Sequence, residues 1–282
     1  MKKFSLISII VLSVLLGILA IGDLDYNISV ALVNTDSIWA QFFNLFGEIP
    51  FSVAMLVGTA LLFGSRNKEI KSKNIMGWVF GLVFIVLFSF LIVFAPINYA
   101  FEHSESGIPP LWIIIAVLLA MTITILTVVI SNKHPKECLQ FRKTGLFFIV
   151  LVISEILLVN VLKIVWGRPR MRSIEDVSEF KHWFEISGLT NDNEYKSFPS
   201  GHTANAFVMI AFTMLTPLFK RIKAKYIVIT TIVWGILVAI SRVVLGAHFL
   251  SDVLVGCFVT LFLFLGLYRL FFKKPFIVDK IS

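Results

Sequence analysis

Three stretches of the sequence concentrate side chains able to act on an anion. Lys163 to Arg170 reads K-I-V-W-G-R-P-R, Phe198 to Thr203 reads F-P-S-G-H-T, and Ser241 to Asp252 reads S-R-V-V-L-G-A-H-F-L-S-D. Lys163, Arg170 and Arg242 offer three cations. Ser200 and the backbone amides of Gly201 and His202 would point from a helix N-terminus, where N–H groups and the helix dipole favour negative charge. Guanidinium forks match phosphate oxygens in pairs, so a phosphoryl group is the expected guest.

Two histidines and a carboxylate complete the set. His248 and Asp252 are spaced i,i+4 and share a helix face if a helix begins near His248. Asp252 then holds one ring nitrogen, fixes the tautomer and leaves the other free to attack phosphorus. His202, from a different segment, is placed to protonate the departing oxygen, which gives an acid, a nucleophile and an orienter. Taken singly these residues say little. A Ser-Gly-His triplet is most often a helix cap, and Lys163 and Arg242 alone read as interface anchors whose apolar stems lie in hydrocarbon. Matched residues at fixed spacings in three segments are a different matter.

The three segments resemble the signature of the type 2 phosphatidic acid phosphatase superfamily: Lys, six residues, Arg-Pro; Pro-Ser-Gly-His; then Ser-Arg, five residues, His, three residues, Asp. The second and third parts match in full as Pro199-Ser200-Gly201-His202 and as Ser241-Arg242 with His248 and Asp252. The first matches through Lys163 and Arg170, but Met171 stands in place of the proline. Arg170 is taken as the motif arginine because positions i and i+7 of a helix return to nearly the same face. Arg168, which precedes Pro169, is the alternative. The resemblance covers residues 144–271. It implies a six-helix phosphatase-type core, His248 as nucleophile forming a phosphohistidine, Asp252 as its orienter and His202 as general acid. It further implies that Lys163, Arg170, Ser200, Gly201 and Arg242 bind phosphoryl oxygens, with no metal and no cofactor. The implied activity is hydrolysis of a lipid phosphate monoester or diphosphate, such as undecaprenyl diphosphate, phosphatidylglycerol phosphate, phosphatidic acid or lipid A phosphate. A phosphotransferase on the same fold, delivering the phosphoryl group to another lipid or a sugar, is the first alternative, and a non-enzymatic transporter the second.

The elements that must position these residues are membrane helices. Residues are 58% hydrophobic and 15% charged, against roughly 45–50% and 25% in soluble domains, which excludes an ordinary soluble enzyme. The net charge of +8 does not indicate a nucleic-acid partner, because the basic residues sit in short loops rather than on one soluble face. Cys138 and Cys257 are not placed for a disulfide. A bilayer core of about 30 Å needs roughly 20 apolar residues in a helix. That ruler predicts eight spans, at 4–21, 42–64, 75–97, 110–131, 144–165, 202–219, 226–245 and 250–271. The first, after Met-Lys-Lys, is expected to be a retained anchor rather than a cleaved signal. The chain reads as a single all-α, multi-pass domain over 1–282, with the spans in 1–109 unassigned in role.

Charge orients this bundle. Most of the 25 basic residues fall in alternate loops, including Arg66, Lys68, Lys71 and Lys73, then Lys133, Lys136, Arg142 and Lys143, then Lys220, Arg221, Lys223 and Lys225. By the positive-inside rule those loops and both termini are cytoplasmic, and the long 172–197 loop lies outside. Lys163, Arg168, Arg170 and Arg242 break the rule, at or beyond the ends of apolar helices on the outer face of the cell membrane, where all three segments can meet. Glu155, inside the fifth span, is expected to make a buried hydrogen bond between helices. His103, His134 and His182 read as solvated loop residues.

Overall fold

A computed structural model describes residues 2–102, 104–219 and 221–273. His103 and the loop residues Lys220, Lys274 and Lys280 fall outside them. The elements are α1 (Lys2–Leu19), α2 (Leu24–Ala31), α3 (Ile38–Phe46), α4 (Ile49–Gly64), α5 (Lys71–Ala100), α6 (Pro110–Lys133), α7 (Pro135–Gln140), α8 (Arg142–Trp166), α9 (Gly201–Phe207), α10 (Ala224–Val244) and α11 (Leu250–Phe272), with a 3-10 segment (Val208–Leu218) after α9. No strand occurs among the described residues. The chain is an all-helical, multi-pass membrane protein.

Among the described residues six stretches are long and apolar enough to cross a bilayer: Ile38–Gly64, Lys71–Ala100, Pro110–Lys133, Arg142–Ser173, Ala224–Val244 and Leu250–Phe272. The count becomes seven if the bent pair formed by α1 and α2 is one span. The first expected span, 4–21, is α1 as far as Leu19, and a 94° bend between Leu19 and Leu24 then folds α2 back onto the bundle. The sixth, expected at 202–219, is α-helical only as far as Phe207 and then winds as a 3-10 helix to Leu218. A 3-10 helix rises about 2.0 Å per residue against 1.5 Å for an α-helix. If collinear, the two pieces reach about 32 Å, comparable to the hydrocarbon thickness of about 30 Å.

Small residues let the central helices approach. A Cβ on Gly58 of α4 would lie 2.9 Å from the carbonyl oxygen of Gly145 in α8, and the reverse pair is equally close. Backbones therefore pack directly, as small residues permit in membrane bundles. The main core gathers Phe63 of α4, Ile85 of α5, Phe147, Phe148 and Leu151 of α8, Ala211 of the 3-10 segment and Phe264 of α11. Leu111, Leu118, Ile125 and Ile130 of α6 and Ile75, Phe80 and Val83 of α5 face outward, as helices in contact with lipid do.

Candidate active site

The last turn of α8 carries Lys163, whose Nζ donates to the carbonyl of Lys196 at 2.8 Å. The helix stops at Trp166 because Gly167 adopts a left-handed conformation, φ +57°, that glycine tolerates. A Cβ there would also collide with the carbonyl oxygen of Gly188. The two arginines diverge beyond this turn. Arg170 lines a large cavity and donates from Nε to the Asn193 carbonyl at 2.9 Å and from Nη1 to the Ala247 carbonyl at 3.4 Å. Arg168 points the other way, into the protein, with no exposed surface. The helical-face reason for choosing Arg170 fails, since α8 does not continue to 170. The Gly167 turn brings Arg170 to the cavity instead.

His248 lies two residues before α11, which begins at Leu250 with Phe249 as its N-cap, so His248 sits ahead of the helix rather than on one face of it with Asp252. Its Nδ1 is 3.6 Å from Asp252 Oδ2 and 3.4 Å from Ser197 Oγ. Asp252 is fully buried and fully engaged. Its Oδ2 accepts from Ser197 Oγ at 2.5 Å and from the Phe249 amide at 2.9 Å, and its Oδ1 accepts from Arg168 Nη1 at 2.5 Å. Arg168 also donates to Asp25 Oδ2 at 3.0 Å, to Ser251 Oγ at 2.8 Å and to the Lys181 carbonyl at 2.8 Å. Asp25 and Ser29 of α2 accept the amides of Ser251 and Leu250, each at 3.0 Å, so α2 supplies partners for the first N–H groups of α11. Burial pushes the His248 imidazole well below its usual range, with Asp252 opposing that shift and Lys163 and Arg170 adding to it.

His202 occupies the first turn of α9. Its Nδ1 is 3.3 Å from Glu48 Oε1, while its Nε2 is buried without a hydrogen-bond partner. Glu48 falls at the break between α3 and α4. It also accepts from Asn205 Nδ2 at 2.8 Å and from the Tyr99 hydroxyl at 3.0 Å. Ser200 is fully buried as the N-cap of α9, its Oγ accepting from Thr203 Oγ1 at 3.1 Å and the Thr203 amide at 3.4 Å. Its hydroxyl therefore serves the helix and is not part of the cavity wall. Arg242, near the end of α10, donates from Nη1 to Asn44 Oδ1, and its Nε is buried without a partner.

Lys163, Arg170, Gly201, His202, Arg242 and His248 line one cavity of about 1180 Å³. Of the expected site residues, only Ser200 and Asp252 stand behind the wall, the first as a helix cap and the second 3.6 Å from His248 Nδ1. Three cations with unfilled donor capacity and two imidazoles facing one volume can bind a phosphoryl group, attack it and protonate its leaving group. Among the described residues no group of three or more His, Cys, Asp or Glu side chains is arranged to hold a metal ion.

Several contributors were not singled out from sequence: Glu48, Tyr99, Asn205, Asp25 and Ser197. Glu48 carried a readable signal, a carboxylate inside an apolar run, and the others carried none. Glu155 is buried and lines the same cavity, with its Oε2 unpaired; that oxygen does not make the expected interhelical hydrogen bond. His134 is exposed. His182 is partly buried, stacked on Phe184 at 5.1 Å with Nδ1 unpaired, and so is not the solvated residue expected.

Residues 144–276 match the PAP2 superfamily. The chain is 32% identical over 128 residues to the lipid A 1-phosphatase of Rhizobium johnstonii, covering 45% of this chain and 47% of that protein. It is 37% identical over 112 residues to phosphatidylglycerophosphatase B of Bacillus subtilis, 36% of this chain and 52% of that one. It is also 33% identical over 131 residues to the lipid A 4'-phosphatase of Rhizobium etli, 46% of this chain and 50% of that one. The chain thus spans about half the length of these curated relatives. No solved structure matches it. The stretch from 144 to 276 that matches the PAP2 superfamily holds all three segments that meet at the cavity.

Proposed function

We propose that the chain is a membrane lipid phosphatase that hydrolyses the phosphate monoester or diphosphate of a lipid through a phosphohistidine on His248. The observation that carries this reading is the convergence of His202, His248, Lys163, Arg170 and Arg242 on one cavity. With Nδ1 turned to Asp252 and Ser197, Nε2 of His248 is the attacking atom. It forms a bond to phosphorus as the bond to the lipid oxygen breaks, and His202 gives that oxygen its proton. His202 then takes a proton from water, the resulting oxygen attacks phosphorus, the P–N bond breaks and phosphate leaves. Lys163, Arg170, Arg242 and the Gly201 amide meet the charge on the phosphoryl oxygens, and fixed donors of this kind are the main catalytic resource in phosphoryl transfer. Because the protein supplies its own cations, turnover should persist in excess chelator.

The relatives named for lipid A and phosphatidylglycerol phosphate support a lipid phosphate as substrate. The cations stand at helix ends, near headgroup depth, where a lipid phosphate is already concentrated and oriented. The charge asymmetry of the loops supports a cavity open to the outer face and cytoplasmic termini. Labelling of single cysteines in the 132–143 and 172–197 loops from the same side would overturn that orientation. The whole chain, 1–282, is read as one working unit, because α2 and the α3–α4 break supply partners to the site.

The decisive experiment is phosphate release by purified protein in mixed micelles. Long-chain lipid phosphates should be hydrolysed with kcat/KM at least about tenfold above a short soluble analogue, roughly 1.4 kcal/mol in the transition state. Inert detergent should dilute the lipid rate alone. Equal efficiency without a dilution effect sinks the lipid reading, and turnover that depends on a lipid or sugar acceptor would replace hydrolysis by phosphotransfer.

A further inference from the structure

Glu48 lies outside the stretch that matches the PAP2 superfamily, within the apolar stretch Ile38–Gly64. A carboxylate at such a position is costly and is usually functional. The fold holds it from several sides. The Trp234 indole donates to the Gly47 carbonyl at 3.2 Å and fixes the helix break. Tyr99 donates to one carboxylate oxygen, and Asn205 to the other, the one that faces His202 Nδ1. The Tyr99 ring also lies 5.2 Å from the imidazole. With Nδ1 at the carboxylate, Nε2 is the nitrogen left for the cavity, and it is the buried atom without a partner.

We propose that Glu48 is the positioning residue of His202, the counterpart of what Asp252 is to His248. It accepts the Nδ1–H bond, which puts the transferable proton on Nε2. It also stabilises the imidazolium, which Lys163, Arg170 and Arg242, lining the same cavity, would otherwise oppose by like charge. In the step itself the Nε2–H bond breaks, its electron pair stays on the ring and the proton passes to the leaving oxygen. Glu48 remains an anion and Nδ1 keeps its hydrogen. The inference rests on the reading of His202 as the group that protonates the leaving oxygen.

The test is a leaving-group series on the full chain in detergent. Aryl phosphate monoesters running from nitrophenyl to phenyl differ in how much they need an acid, so the slope of kcat/KM against leaving-group pKa reports acid catalysis directly. The wild type should show a shallow slope and His202→Ala a steep one. Glu48→Gln should steepen it as well, with little loss for the best leaving group and a loss of about tenfold or more for the poorest, within the usual contribution of a general acid. Glu48→Asp should recover part of it. A uniform loss across the series, or no loss, overturns the assignment of Glu48. If His202→Ala leaves the slope shallow, the acid itself is misassigned, and that failure is separate from a steep His202→Ala beside a shallow Glu48→Gln. Should Glu48→Gln not fold, Tyr99→Phe removes a single hydroxyl from the carboxylate. It should give the same steepening at smaller size, and a flat loss there overturns the proposal equally.

Discussion

Around His248 the polar groups form a closed circuit: Asp252 is bound by Ser197, Arg168 and the Phe249 amide, and Arg168 is bound by Asp25 and Ser251. Around His202 and Arg242 the circuit is open, with His202 Nε2, Asn205 Oδ1 and Arg242 Nε buried and unpaired. Leaving a buried donor or acceptor unsatisfied costs about 1–3 kcal/mol. His202, Asn205 and Arg242 border the cavity, where a polar guest can meet these atoms, whereas the groups behind His248 are paired within the protein. The difference fits the roles proposed for the two histidines. A nucleophile must present one lone pair along one line, so its surroundings are fixed beforehand. The opposite wall keeps donors for a substrate whose charge they complete.

The comparison breaks most visibly if the roles are exchanged. His248→Ala should lower turnover by about 10⁴-fold or more, the scale seen when a nucleophile of a catalytic set is removed, and acid quenching should trap no labelled phosphoprotein. Label surviving in that variant would move the nucleophile to the open side. His202→Ala should cost about 10²–10⁴-fold and should still allow label to accumulate from substrates with good leaving groups.

A third substitution probes the closed side by stability. Arg168 is fully buried between Asp25 and Asp252, with its guanidinium 4.3 Å over the Phe249 ring. Arg168→Met would strand two buried carboxylates, and breaking such a pair typically costs about 3–5 kcal/mol. The thermal midpoint of the variant in detergent should fall well below that of the wild type. Asp25→Asn, which keeps its shape and most of its hydrogen bonds, should fall less. Equal midpoints for all three proteins would mean that the network is not what holds this side rigid.

These expectations divide along what sequence can carry. The three segments were legible because phosphoryl chemistry needs particular residue types at fixed spacings, and the long helices because a bilayer imposes length and apolarity. Local geometry was less so. The i,i+7 argument for Arg170 assumed a helix that Gly167 ends, and the apolar run at 202–219 does not reveal where α-helix gives way to 3-10. Partners from distant segments were the least legible. Asp25 is 143 residues from Arg168 and Asn205 is 157 from Glu48, and one sequence holds no sign of those pairings. Asp25 simply reads as an acid in an outer loop.

The smallest expected effect concerns the charge that Lys163 and Arg170 of the cavity wall bring to His248. Only the neutral imidazole of His248 has a lone pair for phosphorus, so proton uptake by the free enzyme must lower kcat/KM on the acid side. Burial, aided by Lys163 and Arg170, pushes that uptake to lower pH while Asp252 resists. The acid limb assigned to His248 should therefore lie below the ordinary imidazole value of about 6.5. The substrate also titrates, near pH 6 for a phosphate monoester, and this blurs any single profile. Comparing two enzymes on one substrate removes that contribution. Arg170→Gln takes away a cation that disfavours the proton on His248 but leaves its burial unchanged, so the limb should move to higher pH as the rate falls. Asp252→Asn removes the one group pulling the other way, and its limb should move lower. Opposite shifts from the two variants would confirm that the cations of the cavity wall and the closed circuit act on one imidazole. A shift in the same direction, or none, would mean that the acid limb belongs to another group and that Arg170 and Asp252 do not act together on His248.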